Sequence, residues 1–198
     1  MTDAAPGARR IVGIDPGLTR CGVGVVDVWP DRRARLVEVA VVRTPVDAPL
    51  ATRLAGIASG IRAVVEAHSP SVLAIERVFA QHNVQSVIGT AQASGVALLI
   101  AAELGLETAF HTPSEVKAAV TGYGSAEKRQ VQTMVQRILR LDAPPQPADA
   151  ADALAIAICQ GWRRDGRDGA TGASAGAQHL TGAQQAWREA EAAAKRRR

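Results

Sequence analysis

Residues 11–26 read IVGIDPGLTRCGVGVV, and this stretch constrains the fold more than any other. Two apolar, β-branched runs, Ile11–Ile14 and Val23–Val26, flank a Pro/Gly turn. The pattern predicts two strands joined by a short loop, a β-hairpin. Asp15 stands where the first strand ends. That strand is built for burial, so packing explains a carboxylate there poorly. Asp ahead of Pro16 is also a good turn starter, and taken alone the residue supports either reading. The rest of the chain decides between them, because it places further carboxylates in comparable positions.

Trp29–Arg33 contains Pro30 and Asp31 and reads as a turn, and Arg35–Arg43 as a third strand closed by Pro45. Asp47 is the expected cap of an amphipathic helix over Ala48–His68, with Leu50, Leu54, Ile57, Ile61 and Val64 at helical spacing. Val72–Ile75 is a short apolar strand that runs into Glu76, repeating the arrangement at Asp15. A helix followed by such a strand predicts a crossover and a parallel pairing with the first strand. Val84–Leu104 reads as a second helix with Ala91, Ala93, Ser94, Gly95 and Ala97 in its middle. Packing on its own sheet is the simpler use of those small residues, and contact with a second copy is the alternative. Glu107–His111 reads as a fifth strand, and Thr112-Pro113-Ser114-Glu115 as a helix start with a capping box. That helix ends near Thr121, before the GYG loop at 122–124. Ser125 is the expected cap of the next helix, whose apolar face is Val131, Met134, Val135, Ile138 and Leu139. Asp142–Pro147 stops it, and Ala148–Trp162 is the last helix.

In that last helix Asp149 and Asp152 lie three residues apart, hence on one face. Leu154, Ile156 and Ile158 predict a largely buried helix, where two acids are costly without a neutralising partner. The helix macrodipole accounts for one of them comfortably and for both only in part. Together the elements describe an α/β domain with a mixed sheet. Asp15 and Glu76 end adjacent central strands on one edge, where sites of open α/β sheets lie. If the last helix packs across that edge, four acids share one small volume. Their repulsion is tolerable only with cations, and hard divalent ions are the natural partners of oxygen ligands. Two Mg²⁺ ions about 3.5–4 Å apart are a known solution, suited to hydrolysing a phosphodiester.

Charge says less than its total suggests. The net charge is +4, but from Gly161 onward eight basic and four acidic residues account for all of it, and residues 1–160 carry fifteen of each. The expected organisation is a single domain over residues 1–162 and a flexible basic tail over 163–198, with a nascent helix over Gln184–Lys195. Phosphate binding by the terminal KRRR is the functional alternative to a merely solvated tail. Hydrophobic residues make up 47% of the chain, enough for a real core. No apolar run reaches the ~20 residues of a membrane span, and no signal-peptide segment precedes the first strand. Cys21 and Cys159 lack metal-ligand spacing and read as buried thiols in a reducing, cytoplasmic setting.

GIDPGLTRCG, AIERVF, HTPSEVKAAVTGYGSAEKRQV and PADAADALAIAI occur in that order. Over roughly Ile11–Trp162 the chain resembles the RuvC family of bacterial Holliday-junction resolvases. The resemblance implies a ribonuclease H-like α/β fold, a mixed five-stranded sheet flanked by helices. It implies a homodimer with two Mg²⁺ (or Mn²⁺) per subunit, held by Asp15, Glu76, Asp149 and Asp152 as the catalytic carboxylates. Lys117 and Lys128 match lysines that contact DNA near the cut, and Lys128 is further implied to offset phosphate charge during catalysis. Phe79 matches an aromatic that stacks on bases near the junction centre. The implied activity is a pair of symmetric nicks in a four-way DNA junction, in recombination and repair, beside the branch-migration motor RuvA–RuvB. The implied chemistry is attack by a metal-activated water with the 3′ oxygen leaving. The tail beyond Trp162 lies outside the resemblance.

Three rivals compete with this reading. Asp15-Pro16-Gly17-Leu18-Thr19 also fits the D-x-G-x-T of actin-like nucleotide-binding proteins, but that class needs a second related domain and a second phosphate loop. A non-catalytic junction-binding protein of the same fold would have no use for four intact carboxylates. A nuclease of this fold acting on other branched substrates fits less well with the motifs beyond Glu76.

Overall fold

The computed structural model describes residues 3–77 and 84–163. Phe79 and the expected tail beyond Arg163, with its nascent helix, lie outside the described residues. The elements run β1 (Arg9–Asp15), β2 (Arg20–Val28), β3 (Ala34–Arg43), α1 (Leu50–His68), β4 (Val72–Glu76), α2 (Val84–Glu103), β5 (Glu107–His111), α3 (Pro113–Thr121), α4 (Lys128–Leu139) and α5 (Ala148–Trp162). The sheet order is β3-β2-β1-β4-β5. β1, β2 and β3 pair antiparallel, while β4 runs parallel to β1 and β5 parallel to β4. The mixed five-stranded sheet is thus as expected, and the α1 crossover sets β4 beside β1.

Strand alternation sorts the side chains onto two faces. Val12, Ile14, Cys21, Val23, Val25, Leu73 and Ile75 pack with Ile57 and Ile61 of α1 and with Ala93, Ala97 and Ile100 of α2. Ile11, Val26, Val28, Val72 and Ala74 face the other way, against α3, α4 and Leu154, Ile156 and Ile158 of α5. Ile11, Ile14, Leu73, Ile75, Leu154, Ile156 and Ile158 are each at most 1% exposed, and burying such a side chain stabilises by about 1.5–3 kcal/mol. The two cysteines are free and buried. Burial pushes both thiols up to about 12, so they remain unreactive thiols at neutral pH.

α5 lies against the sheet backbone itself. Along its track β1 and β2 carry Gly13, Gly22 and Gly24. A Cβ added there would come within 2.2 Å of Ala153 O, 2.3 Å of Asp149 O and 2.9 Å of Leu154 N respectively. The helix answers with its own small residues, Ala150, Ala153 and Ala157, all buried. Its far end is held by Trp162, whose Nε1 donates to Arg32 O at 2.9 Å.

One buried ion pair closes the opposite end of the strands. Asp27 is fully buried and Arg10 nearly so. Arg10 Nε and Nη2 donate to Asp27 at 2.7 and 3.0 Å, and Arg35 Nη2 adds a third bond at 2.8 Å. Burial alone would raise the Asp27 pKa, but the hydrogen bonds from Arg10, Arg35 and Ala5 N outweigh it and the net shift is downward.

Two expected caps are corrected. Asp47 does not cap α1: the N-cap is Pro49, with no side-chain cap hydrogen bond. Ser125 does not cap α4 either. The helix starts three residues later, where Gln130 Oε1 accepts from the N–H of the N-cap Glu127 at 2.8 Å. Ala126, ahead of this start, is fully buried in the core. The Thr112–Glu115 capping box forms as expected, with bonds of 3.2 and 2.7 Å.

Candidate active site

Asp15 continues the face of Ile11 and Gly13, and Glu76 that of Val72 and Ala74. Both therefore emerge under α5. β1 and β4 are parallel with Ile14 opposite Ile75, so the two acids leave neighbouring strands side by side. The β1–β2 loop that follows Asp15 is braced from outside the sheet. Thr44 Oγ1 donates to Leu18 O at 2.5 Å and Thr44 N to Thr19 O at 3.1 Å. Arg53 Nε and Nη2 donate to Thr44 Oγ1 at 3.0 Å and to Thr19 Oγ1 at 2.8 Å. The first turn of α5, pressed onto Gly22, brings Asp149 and Asp152 to the same edge.

The electrostatics reflect this crowding. The Asp15 carboxyl is raised from 3.8 to about 7, first by burial and then by the charges of Asp152, Glu76 and Asp149, with Lys128 opposing. Glu76 is raised by burial and by Asp152, against the pull of Lys128 and Lys117. Lys128, at the first position of α4, places Nζ 2.6 Å from Asp152 Oδ2. Burial works against its charge, but the bond to Asp152 and the charges of Asp152, Asp15 and Asp149 prevail, and its pKa rises. Across the site Arg20 Nε lies 3.1 Å from Asp149 Oδ2. The contact pairs charge without the alignment of a hydrogen bond, for that buried oxygen has no hydrogen-bond partner.

The donor set suits a hard divalent cation: four carboxylates, oxygen only, partly buried, with one oxygen lacking a donor. Among the described residues no three metal-binding side chains are already gathered about one point. Lys128 and Arg20 stand on the α5 carboxylates instead. Asp15, Glu76, Asp149, Asp152 and Lys128, picked out in the sequence, thus form one interacting cluster, with Lys117 at its margin. Arg20 was not picked out. The available signal was its place as a basic residue five positions beyond Asp15, at the start of the strand that pairs with it.

The family model for crossover junction endodeoxyribonuclease RuvC matches residues 11–160. The protein of that name from Leifsonia xyli subsp. xyli is 62% identical over 191 residues, covering 92% of this chain and 91% of its own. The one from Clavibacter michiganensis subsp. michiganensis is 61% identical, covering 96% of this chain and all of its own. Among solved structures, T. thermophilus RuvC in complex with a Holliday junction substrate superposes with a TM-score of 0.75 at 35% identity, covering 78% of this chain and 93% of its own. The chain belongs to the RuvC family of crossover junction endodeoxyribonucleases.

Proposed function

We propose that this chain binds four-way DNA junctions and resolves them by paired symmetric nicks, with Mg²⁺ as the working metal and Mn²⁺ as a substitute. The observation that carries the reading is the gathering of Asp15, Glu76, Asp149 and Asp152 at one sheet edge, where burial and mutual charge hold Asp15 at about 7. These four residues would hold two divalent ions per subunit. When bound, such ions supply activation of a water and stabilisation of the leaving oxygen in phosphodiester hydrolysis. The braced β1–β2 loop and the seat of α5 on Gly22 hold the acids in position. Lys128 neutralises charge at the reacting phosphate, Lys117 contacts the backbone beside it, and Phe79 stacks on bases near the junction centre.

A junction has two-fold symmetry, and a homodimer presents two centres to it. The surface offered for that dimer is the outer side of α2. Ile88 and Leu99 are 52% and 58% exposed. Ala91 and Gly95, exposed between them, complete an apolar stripe at helical spacing. Among the described residues no helix is long and apolar enough to cross a membrane. The proposed substrate also motivates a cytoplasmic location and work beside RuvA–RuvB.

The test is a synthetic mobile four-way junction incubated with and without Mg²⁺. Paired nicks at symmetric positions are expected only with the metal. Asp152→Asn should abolish cutting and leave junction binding largely intact. Lys128→Ala should slow cutting more than it weakens binding. Symmetric cutting at a near wild-type rate by Asp152→Asn would remove the assigned chemistry.

A further inference from the structure

The metal reading leaves Arg20 without a role, and any part this residue plays in metal loading rests on that reading. Arg20 opens β2 and, by strand parity, shares the α5 face with Gly22 and Gly24. Its side chain is 55% exposed, yet its Nε reaches to 3.1 Å from the Oδ2 of Asp149, which is 18% exposed. That oxygen is buried and accepts no hydrogen bond. It is therefore served by charge alone, from a group free to withdraw into water. Lys128 covers Asp152 from α4, there with a hydrogen bond as well as charge. Among the described residues neither Asp15 nor Glu76 has an ion pair. Each acid of α5 is thus covered by one organic cation, and the strand acids are not.

We propose that Arg20 is the resident counter-ion of Asp149: a positioning residue that a divalent ion must displace, and that thereby sets the metal affinity of the centre. The guanidinium and a metal ion want the same carboxylate oxygen. The metal-free site gains order from Arg20, and loading the site costs the displacement of that contact.

The proposal predicts opposite signs for two measurements on one variant. In Arg20→Gln, Mn²⁺ affinity measured by calorimetric titration should rise by roughly three- to tenfold, because a competing positive charge has gone. The melting temperature of the same variant without metal should fall at pH 8, because Asp149 is left uncompensated. A residue that only held the fold would lower both. Arg20→Lys keeps the charge and should remain within about twofold of wild type. Arg137→Gln removes the same net charge at the last turn of α4 and should also stay within about twofold. Affinity unchanged or weakened in Arg20→Gln, or an equal gain in Arg137→Gln, overturns the proposal. Absence of Mn²⁺ binding in the wild type would instead remove the metal centre itself, a distinguishable result.

Discussion

Asp15→Asn should make the metal-free protein more stable while destroying its activity. Asn has nearly the shape of Asp and carries no charge. The wild-type carboxyl has an ordinary value of 3.8 and sits at about 7 in the folded protein. A carboxyl raised on folding binds its proton more tightly in the native state. Below pH 3.8 it is protonated in both states and costs nothing. Between 3.8 and 7 stability falls as pH rises, and above 7 the full penalty is in force. That penalty amounts to about 4 kcal/mol at most. Burial of the Asn amide and the loss of a negative neighbour for Lys128 take back part of it, leaving a net gain of about 1–3 kcal/mol at pH 8. For a domain of this size that corresponds to a rise in melting temperature of roughly 2–10 °C. At pH 5 the native carboxyl is already protonated, so the gain should shrink by half or more. The assay is thermal unfolding of metal-free wild type and variant at pH 5 and pH 8, repeated with Mn²⁺, which should stabilise the wild type more. A variant that melts below wild type at pH 8, or a gain equal at both pH values, would refute the claim that crowded charge at this edge is costly.

Other parts of the structure make their own predictions. Gly22→Ala places a methyl 2.3 Å from Asp149 O; it should cost more than about 3 kcal/mol or shift α5 enough to lose Mn²⁺ binding, read by melting and calorimetry together. Asp27→Ala takes the carboxylate away from a buried arginine and should cost about 3–5 kcal/mol in urea unfolding. Because the Asp27 carboxyl is held low, the stability it contributes is present above its ordinary 3.8 and lost as pH falls through its folded value. Leu99→Lys touches an exposed side chain of α2 and should leave the melting temperature of the monomer within about 2 °C, while sedimentation should report loss of the dimer. A variant that stays dimeric would move the interface elsewhere.

The strands and the acids were legible because both rest on short-period patterns. Alternation along Ile11–Asp15 and Val72–Glu76 carries each acid onto the face of the residues two positions before it, and a parallel crossover brings the two together. Asp149 and Asp152 followed from the spacing of one helical turn. The cations were less legible. Arg20 and Lys128 each open an element, and which acid an opening residue reaches depends on how β2 and α4 are docked, which no local period encodes. The misplaced α4 cap has a similar cause: Ser125 is the better capping residue taken alone, but the observed start uses the bond from Glu127 N to Gln130 Oε1, a pairing the local sequence does not announce. In α2 the simpler reading of the small residues holds for Ala93 and Ala97, which pack on the sheet, while Ala91 and Gly95 face outward.

The track under α5 also bears on how tolerance to mutation in this protein should be read. Positions 13, 22 and 24 bear no side chain able to touch DNA or metal, yet a single methyl group at any of them meets the helix that delivers Asp149 and Asp152. In a saturation survey scored by cutting, they would be as intolerant as the carboxylates. Ranking by intolerance would then confuse three spacers with the chemistry they space, and only a parallel score for folded yield would tell the two groups apart.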